Sequence, residues 1–275
     1  MAVTENPGTQ NSATPRFAQL LTKGLRSGAT LGLPLISFAF ILGIWTLVGL
    51  SGVVKEAIFP APWFVWSATV EMWQNGTLQT DLAKSLGRAA VGFSIGGTLG
   101  VTLGLMTGRV ALVRTLLNPF LNLLRPIPAI ALVPVAIVWF GIGEGSKYFV
   151  VSYTVFLTVW FNTHHGMQYV PETYLRASRT LGASRLREFL TVVLPAAAPH
   201  IFAGIRLGVA LAFLSLVAAE LSGASSGIGF RLQEARQYVR TDRMFSLLIL
   251  LGILGAFADL IVHWIGKKLV HWEQG

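Results

Sequence analysis

The chain of 275 residues contains no cysteine, which excludes disulfides, thiolate metal sites and thiol catalysis. It is also poor in charge. Asp, Glu, Lys and Arg together make up 12%, against roughly 25% in an ordinary soluble domain. Acidic residues are the scarcer kind, twelve against 21 basic ones, and no acidic pair recurs that would suit general acid–base work. There is no Gly-x-x-x-x-Gly-Lys-[Ser/Thr] phosphate loop, and no Ser/His/Asp arrangement is legible from spacing. The adjacent His164 and His165 point about 100° apart on a helix and cannot both face one metal ion. Two glycine pairs, Gly141/Gly143 and Gly227/Gly229, lie at the ends of apolar segments and read as turns.

What the chain has in excess is apolar surface. Apolar residues make up 53% and the mean hydropathy is +0.63, which places it among membrane proteins. The formal net charge of +9 does not indicate nucleic acid, because the basic residues flank apolar runs and form no single patch. Residues 1–28 are polar and read as a flexible tail without the apolar centre of a signal peptide. The remainder, 29–275, reads as an all-α membrane domain. Six spans are expected, about Leu31–Leu50, Ala89–Thr107, Leu117–Phe140, Lys147–Met167, Ile201–Ser222 and Phe245–Ile265, each near the ~20 residues a bilayer requires. The second is rich in glycine (Gly92, Gly96, Gly97, Gly100, Gly104). Small residues at such spacing let helices approach closely in lipid, although each glycine alone reads equally well as tolerated. With the N-terminus placed in the cytoplasm, thirteen of the 21 basic residues fall on the cytoplasmic side. That bias puts both termini inside. Within the long connection Lys55–Lys84, the stretch from Trp63 to Trp73 reads as a short amphipathic helix at the interface.

Between the fourth and fifth spans lies a polar island, Arg176–Pro195, with the sequence RASRTLGASRLREFLTVVLP. Pro171 suits a first helical position, Gly182 the left-handed residue past a helix end and Ser184 a cap on the next helix. Pro195 is expected to end that helix. The segment 171–195 therefore reads as a helical hairpin offered by a membrane protein to something soluble.

The island resembles the coupling loop of binding-protein-dependent ABC transporter permeases, whose pattern is Glu-Ala-Ala, three residues, Gly, nine residues, Ile-x-Leu-Pro. Ala177, Gly182, Leu194 and Pro195 match in register, Val192 stands for the Ile, and Arg176-Ala177-Ser178 replaces Glu-Ala-Ala. Other motifs resemble the nitrate/sulfonate/taurine branch of that family. They are Ser85-Leu86-Gly87-Arg88, Arg125-Pro126-Ile127-Pro128, Trp139-Phe140-Gly141-Ile142-Gly143, Ala218-Ala219-Glu220 and Gly227-Ile228-Gly229-Phe230. The resemblance runs from about Phe59 to the C-terminus. It implies a type I ABC importer fold in the cell inner membrane and a homodimer around a central path. It also implies two cytoplasmic ATPase subunits holding ATP and Mg, and an external solute-binding protein. The permease itself would carry no cofactor and no catalytic residue. ATPase coupling would fall to Arg176, Ala177, Ser178, Gly182, Ala183, Ser184, Leu194 and Pro195, and the solute would be a small anion such as a sulfonate, taurine, nitrate or bicarbonate.

Several residues keep two readings. Arg125, at the base of a helix bent by Pro126 and Pro128, is a lining residue of an anion path or a lipid anchor. Glu220 is a gate residue or a buried brace. Asp259 is a pathway residue or, the reading its place favours, a brace, with His263 four residues on as a candidate partner. Arg236, Arg240 and Arg243 recur on one face of a helical frame in the polar loop 222–243 and form a basic external surface or a merely solvated one. Two rivals come from other classes, an ion-coupled secondary transporter and an integral-membrane enzyme, and both would use Glu220 and Asp259.

Overall fold

The structure is a computed structural model and describes residues 36–270. The expected tail 1–28 and the start of the first span lie outside the described residues. The chain divides into two compact units, Met1–Pro62 and Trp63–Gly275. In the first, α1 (Ile36–Ser51) is a short apolar helix. The Trp45 indole N–H donates to the Pro60 carbonyl at 3.0 Å. Gly49 lies so close to Ala61 that an added Cβ would sit 2.8 Å from the alanine Cβ.

The second unit holds ten further helices among the described residues: α2 (Pro62–Gln74), α3 (Thr77–Arg109), α4 (Ala111–Leu124), α5 (Ala129–Phe140), α6 (Glu144–Gln168), α7 (Glu172–Thr180), α8 (Arg185–Glu188), α9 (Leu194–Gly223), α10 (Ile228–Gln237) and α11 (Thr241–Leu269). A π-helical turn, Phe189–Val193, joins α8 to α9. No strand occurs among the described residues. By length and apolarity, α3, the run Arg185–Gly223 and α11 can each cross a membrane alone.

The core is α3, α6 and α9. Val151, Val155 and Val159 of α6 pack on Ala89, Ala212 and Leu216. The glycines of α3 make this approach possible. A Cβ on Gly92 would sit 2.6 Å from Val151 Cβ, one on Gly100 2.8 Å from Val159 Cβ and one on Gly104 2.5 Å from Thr163 Cβ. Gly97 points away, with nothing within 4 Å. The glycine stripe is thus a packing seam, the reading that periodicity alone left level with mere tolerance. Burial also explains why α6 carries Thr163, His164 and Trp160 without exposing them: the Thr107 hydroxyl meets both the Trp160 indole N–H, at 3.1 Å, and the His164 ring, at 3.0 Å.

Four expectations are corrected. The third span is not one helix Leu117–Phe140: α4 and α5 meet at 102°. Pro126 and Pro128 bring no backbone N–H; Arg125 is still helical, and the chain leaves the helix by Pro128, which is extended at ψ 137°. Pro195 does not end a helix. The Leu194 N–H reaches back to the Phe189 carbonyl across the π turn, and the helix continues past Pro195, which lies inside the run Arg185–Gly223. Pro171 takes the cap position and α7 starts at Glu172. Finally, Arg236, Arg240 and Arg243 do not share a helix. Between α10 and α11 the chain turns through Val239 at φ 53°, and both Arg240 and Arg243 bind Glu71.

Candidate functional site

Two polar assemblies stand at opposite ends of the α3–α6–α9 core. The hairpin is one. Gly182 has φ +75°, and a Cβ added there would meet nothing within 4 Å, so it is there for its backbone and leaves the tip open. Its N–H closes the turn on the Arg179 carbonyl at 3.0 Å. The Ser184 hydroxyl accepts from the Arg187 N–H at 3.4 Å, capping α8. The tip exposes Leu181 at 87%, Leu186 at 68% and Tyr174 at 57%. Arg176 points outward and pairs with Glu172 one turn back at 3.0 Å. Ala177 and Pro195 line an apolar cleft with Leu181 and Val192, about 440 Å³ in volume.

Beneath this tip is a carboxylate that the motif pattern did not single out. Glu188 is buried. It accepts from Arg179 Nε at 2.8 Å and from the Ser178 hydroxyl at 3.3 Å, and it also takes a bond from Arg109 at the end of α3. The hydrogen bond to Glu188 raises the pKa of Arg179 above its ordinary value. One side chain therefore ties α7, α8 and α3 together. The signal in the sequence was a lone acidic residue amid Arg176, Arg179, Arg185 and Arg187.

The second assembly is buried except at Glu144, whose side chain is 45% exposed. Arg88 donates through Nε and one terminal nitrogen to both oxygens of Glu144, each at 2.7 Å. Its other terminal nitrogen reaches Glu220 at 2.7 Å and the Ser226 carbonyl at 2.6 Å. Glu220 is 1% exposed and Arg88 2%. Glu220 further accepts from the Gly229 N–H at 2.8 Å and lies 2.8 Å from the Ser85 hydroxyl. Asp81 accepts from the Gly227 N–H at 2.7 Å and from Arg231 at 2.8 Å. Gly227 adopts φ +115°, and any Cβ there would run into the Glu220 carboxylate. Gly227 is thus the expected turn, wrapped around a carboxylate, whereas Gly229 lies in the first turn of α10 and not in a turn between helices. Asp81, Ser85 and Arg88 recur at four and three along α3, the spacing that could have revealed the face.

The remaining candidates lie apart. The Arg125 guanidinium stacks 3.5 Å from the Phe161 ring centroid. Asp259 does not pair with His263; Arg206 of α9 holds both its oxygens, at 2.5 and 2.6 Å, because α9 presents a stronger, bidentate donor.

A bundle of apolar helices, several long enough to cross a bilayer, with one ordered polar hairpin at its end has the architecture of a membrane-embedded protein. Residues 99–271 match the binding-protein-dependent transport system inner membrane component family, and the chain belongs to that family. It is 36% identical to the putative aliphatic sulfonates transport permease protein of Bacillus subtilis, over 86% of each chain. The taurine transport system permease protein of Escherichia coli is 30% identical over 86% of this chain and 88% of its own length. The nitrate import permease protein of Leptolyngbya laminosa is 32% identical over 87% and 88%. The fold is similar to a chain of the inward-facing MetNI methionine ABC transporter, with a TM-score of 0.57 at 20% identity, over 70% of this chain and 94% of that one. The protein is accordingly a permease subunit of an ABC importer.

Proposed function

We propose that this permease couples to a separate cytoplasmic ATPase through the hairpin 171–195. In this reading the chain forms a homodimer around a path for a small anion handed over by an external binding protein. The observation that carries it is the exposed apolar tip, Leu181, Leu186 and Tyr174, set among arginines. A short helix end offering apolar anchors suits a receptor cleft, the helix-in-groove mode. Ala177, Ser178, Gly182, Ala183 and Ser184 shape the tip, while Leu194 and Pro195 begin the helix that carries its movement into the membrane. ATP and Mg belong to the ATPase, and this chain brings no cofactor. Six spans with both termini in the cytoplasm of an inner membrane accommodate the hairpin on the ATPase side. Alternating access then follows from closure of the ATPases moving the two hairpins.

Glu220 and Arg88 act as a brace on the opposite side, since every oxygen of Glu220 is already engaged. Arg125, with Pro126 and Pro128, stands at the break between α4 and α5 and lines the path from there. The relatives named for sulfonates, taurine and nitrate support an anion as the solute, and growth of a deletion strain on candidate sulfur and nitrogen sources identifies it.

Leu181→Asp and Gly182→Asp test the hairpin. Leu181→Asp leaves the buried structure untouched, because Leu181 is exposed, whereas Gly182→Asp meets no neighbour but strains the turn at φ +75°. Loss of one interface anchor weakens association by about 2 kcal/mol, roughly 30-fold. The expected result is a folded, inserted permease that no longer co-purifies with its ATPase and no longer transports. Unchanged transport and co-purification in both variants would remove the assignment.

A further inference from the structure

Two cavities open side by side along the groove between α9 and α11. One, about 400 Å³, is lined by Arg206, His263 and Lys267 together with Phe202 and Gly266. The other, about 250 Å³, is lined only by apolar side chains, among them Phe93, Phe213, Ala258 and Ile261. Val262 borders both, so a cationic chamber adjoins an apolar one. From Ala258 to Lys267 is nine residues of α11, about 13 Å of helix, close to half of the ~30 Å hydrocarbon core.

From this geometry we infer that the groove binds one anionic phospholipid, in the leaflet at the C-terminal end of α11. The headgroup lies against Arg206 and Lys267, and an acyl chain runs into the apolar chamber.

Charge supports the headgroup end. Asp259 uses two N–H groups of Arg206, leaving three of the five that a guanidinium carries. Among the described residues Lys267 has no carboxylate within ion-pair distance. Lys268 stands 3.7 Å over the Trp264 ring, an aromatic and a cation at the depth where such residues meet lipid headgroups. The sum is a positive chamber between two membrane helices, the kind of pocket that takes anionic headgroups. Exposure supports it as well. The Arg206 side chain is 50% exposed within the helical bundle. An ion pair bared at that depth is costly unless polar groups cover it, and a phosphodiester with its hydration does so. Only 11% of the most apolar window of α11 is buried within the chain, which leaves the groove at its rim. Lipid binding here needs the membrane-embedded fold alone and is independent of the hairpin and of the transported solute.

The test uses the full-length chain purified in detergent and native mass spectrometry, with phosphatidylglycerol, phosphatidylcholine and inorganic phosphate as probes. Phosphatidylglycerol should be retained about tenfold more than phosphatidylcholine. Lys267→Gln and Lys268→Gln should each lower phosphatidylglycerol retention about fivefold, on the order of the attraction per basic residue near an anionic surface, without affecting phosphatidylcholine. Lys267→Arg should keep it. Ala90→Trp, which fills the apolar chamber, should lower both lipids. Because the lysines are on the surface, these variants fold, and a monodisperse elution profile checks that they do. Equal retention of the two lipids by the unaltered chain overturns the proposal. So does displacement of phosphatidylglycerol by millimolar phosphate, which would mark a site for a free anion. A high yield of disulfide between Ile41→Cys and Val262→Cys in native membranes would show α1 in the groove and equally overturn it.

Discussion

The two ends of the α3–α6–α9 core use the same chemistry, arginine against carboxylate, in opposite surroundings. At one end Arg88 and Glu220 have side chains 2% and 0% exposed, with Ser85, Ser226 and the backbone of Gly229 filling the remaining bonding positions. At the other end Arg179 is 62% exposed while Glu188 is 4%, and Arg176 and Glu172 are 72% and 73% exposed. A fully enclosed pair must be complete, because removing either partner strands a charge away from water. A pair with one member in water can exchange partners without that penalty. The enclosed pair therefore fixes geometry, and the half-open one holds a surface while leaving its contacts free to exchange.

Substitutions break or sharpen this contrast, beginning with the largest effect. Arg88→Ala should destabilise the purified chain by about 3–5 kcal/mol, read as a shift in its SDS-induced unfolding in mixed micelles. A shift below about 1 kcal/mol would mean the network is not what holds that end. Gly227→Ala comes next, at about 1–3 kcal/mol from the backbone conformation alone, with the added clash against Glu220 pushing the value upward. Gly97→Ala, where the added carbon meets nothing, is its control and should be neutral or slightly stabilising. Glu188→Gln keeps the shape and removes the charge that Arg109 and Arg179 share. The bundle should stay folded, amide exchange in 172–184 should quicken, and uptake should fall severalfold while the ATPase remains attached. Loss of attachment instead would place Glu188 at the docking surface itself. Smallest of all, Arg176→Ala should change stability by less than about 0.5 kcal/mol, as for other exposed pairs.

The features legible in the sequence are those decided locally. Gly182 and Ser184 announce a turn and a cap by residue type, and the observed φ +75° and the bond to the Arg187 N–H agree. The four-residue rhythm of Gly92, Gly96, Gly100 and Gly104 announces a seam, though not the helix that fills it. What stayed hidden depends on distant partners. Arg88 finds Glu144 across 56 positions and Glu220 across 132, and nothing in periodicity joins them. The basic face expected over 236–243 failed because a helical frame was carried through Val239, where the backbone leaves it. Asp259 was matched to His263 on its own helix because local spacing cannot reveal that Arg206 of another helix competes for it.

The π turn at Phe189–Val193 has a geometric consequence. It accommodates one residue more than an α-helix would in the same rise, and each residue of an α-helix advances the azimuth by about 100°. Beyond it, α9 runs 30 residues from Leu194 to Gly223, a rod of about 45 Å. The surplus residue therefore sets the phase of everything downstream. It decides that Glu220 looks toward Arg88 and that Arg206 looks toward α11. If the turn relaxed to ordinary α-helix, the rod would have to rotate by roughly a quarter-turn relative to the hairpin. The π turn thus stands as a clutch plate between the polar hairpin and the apolar helix that follows it.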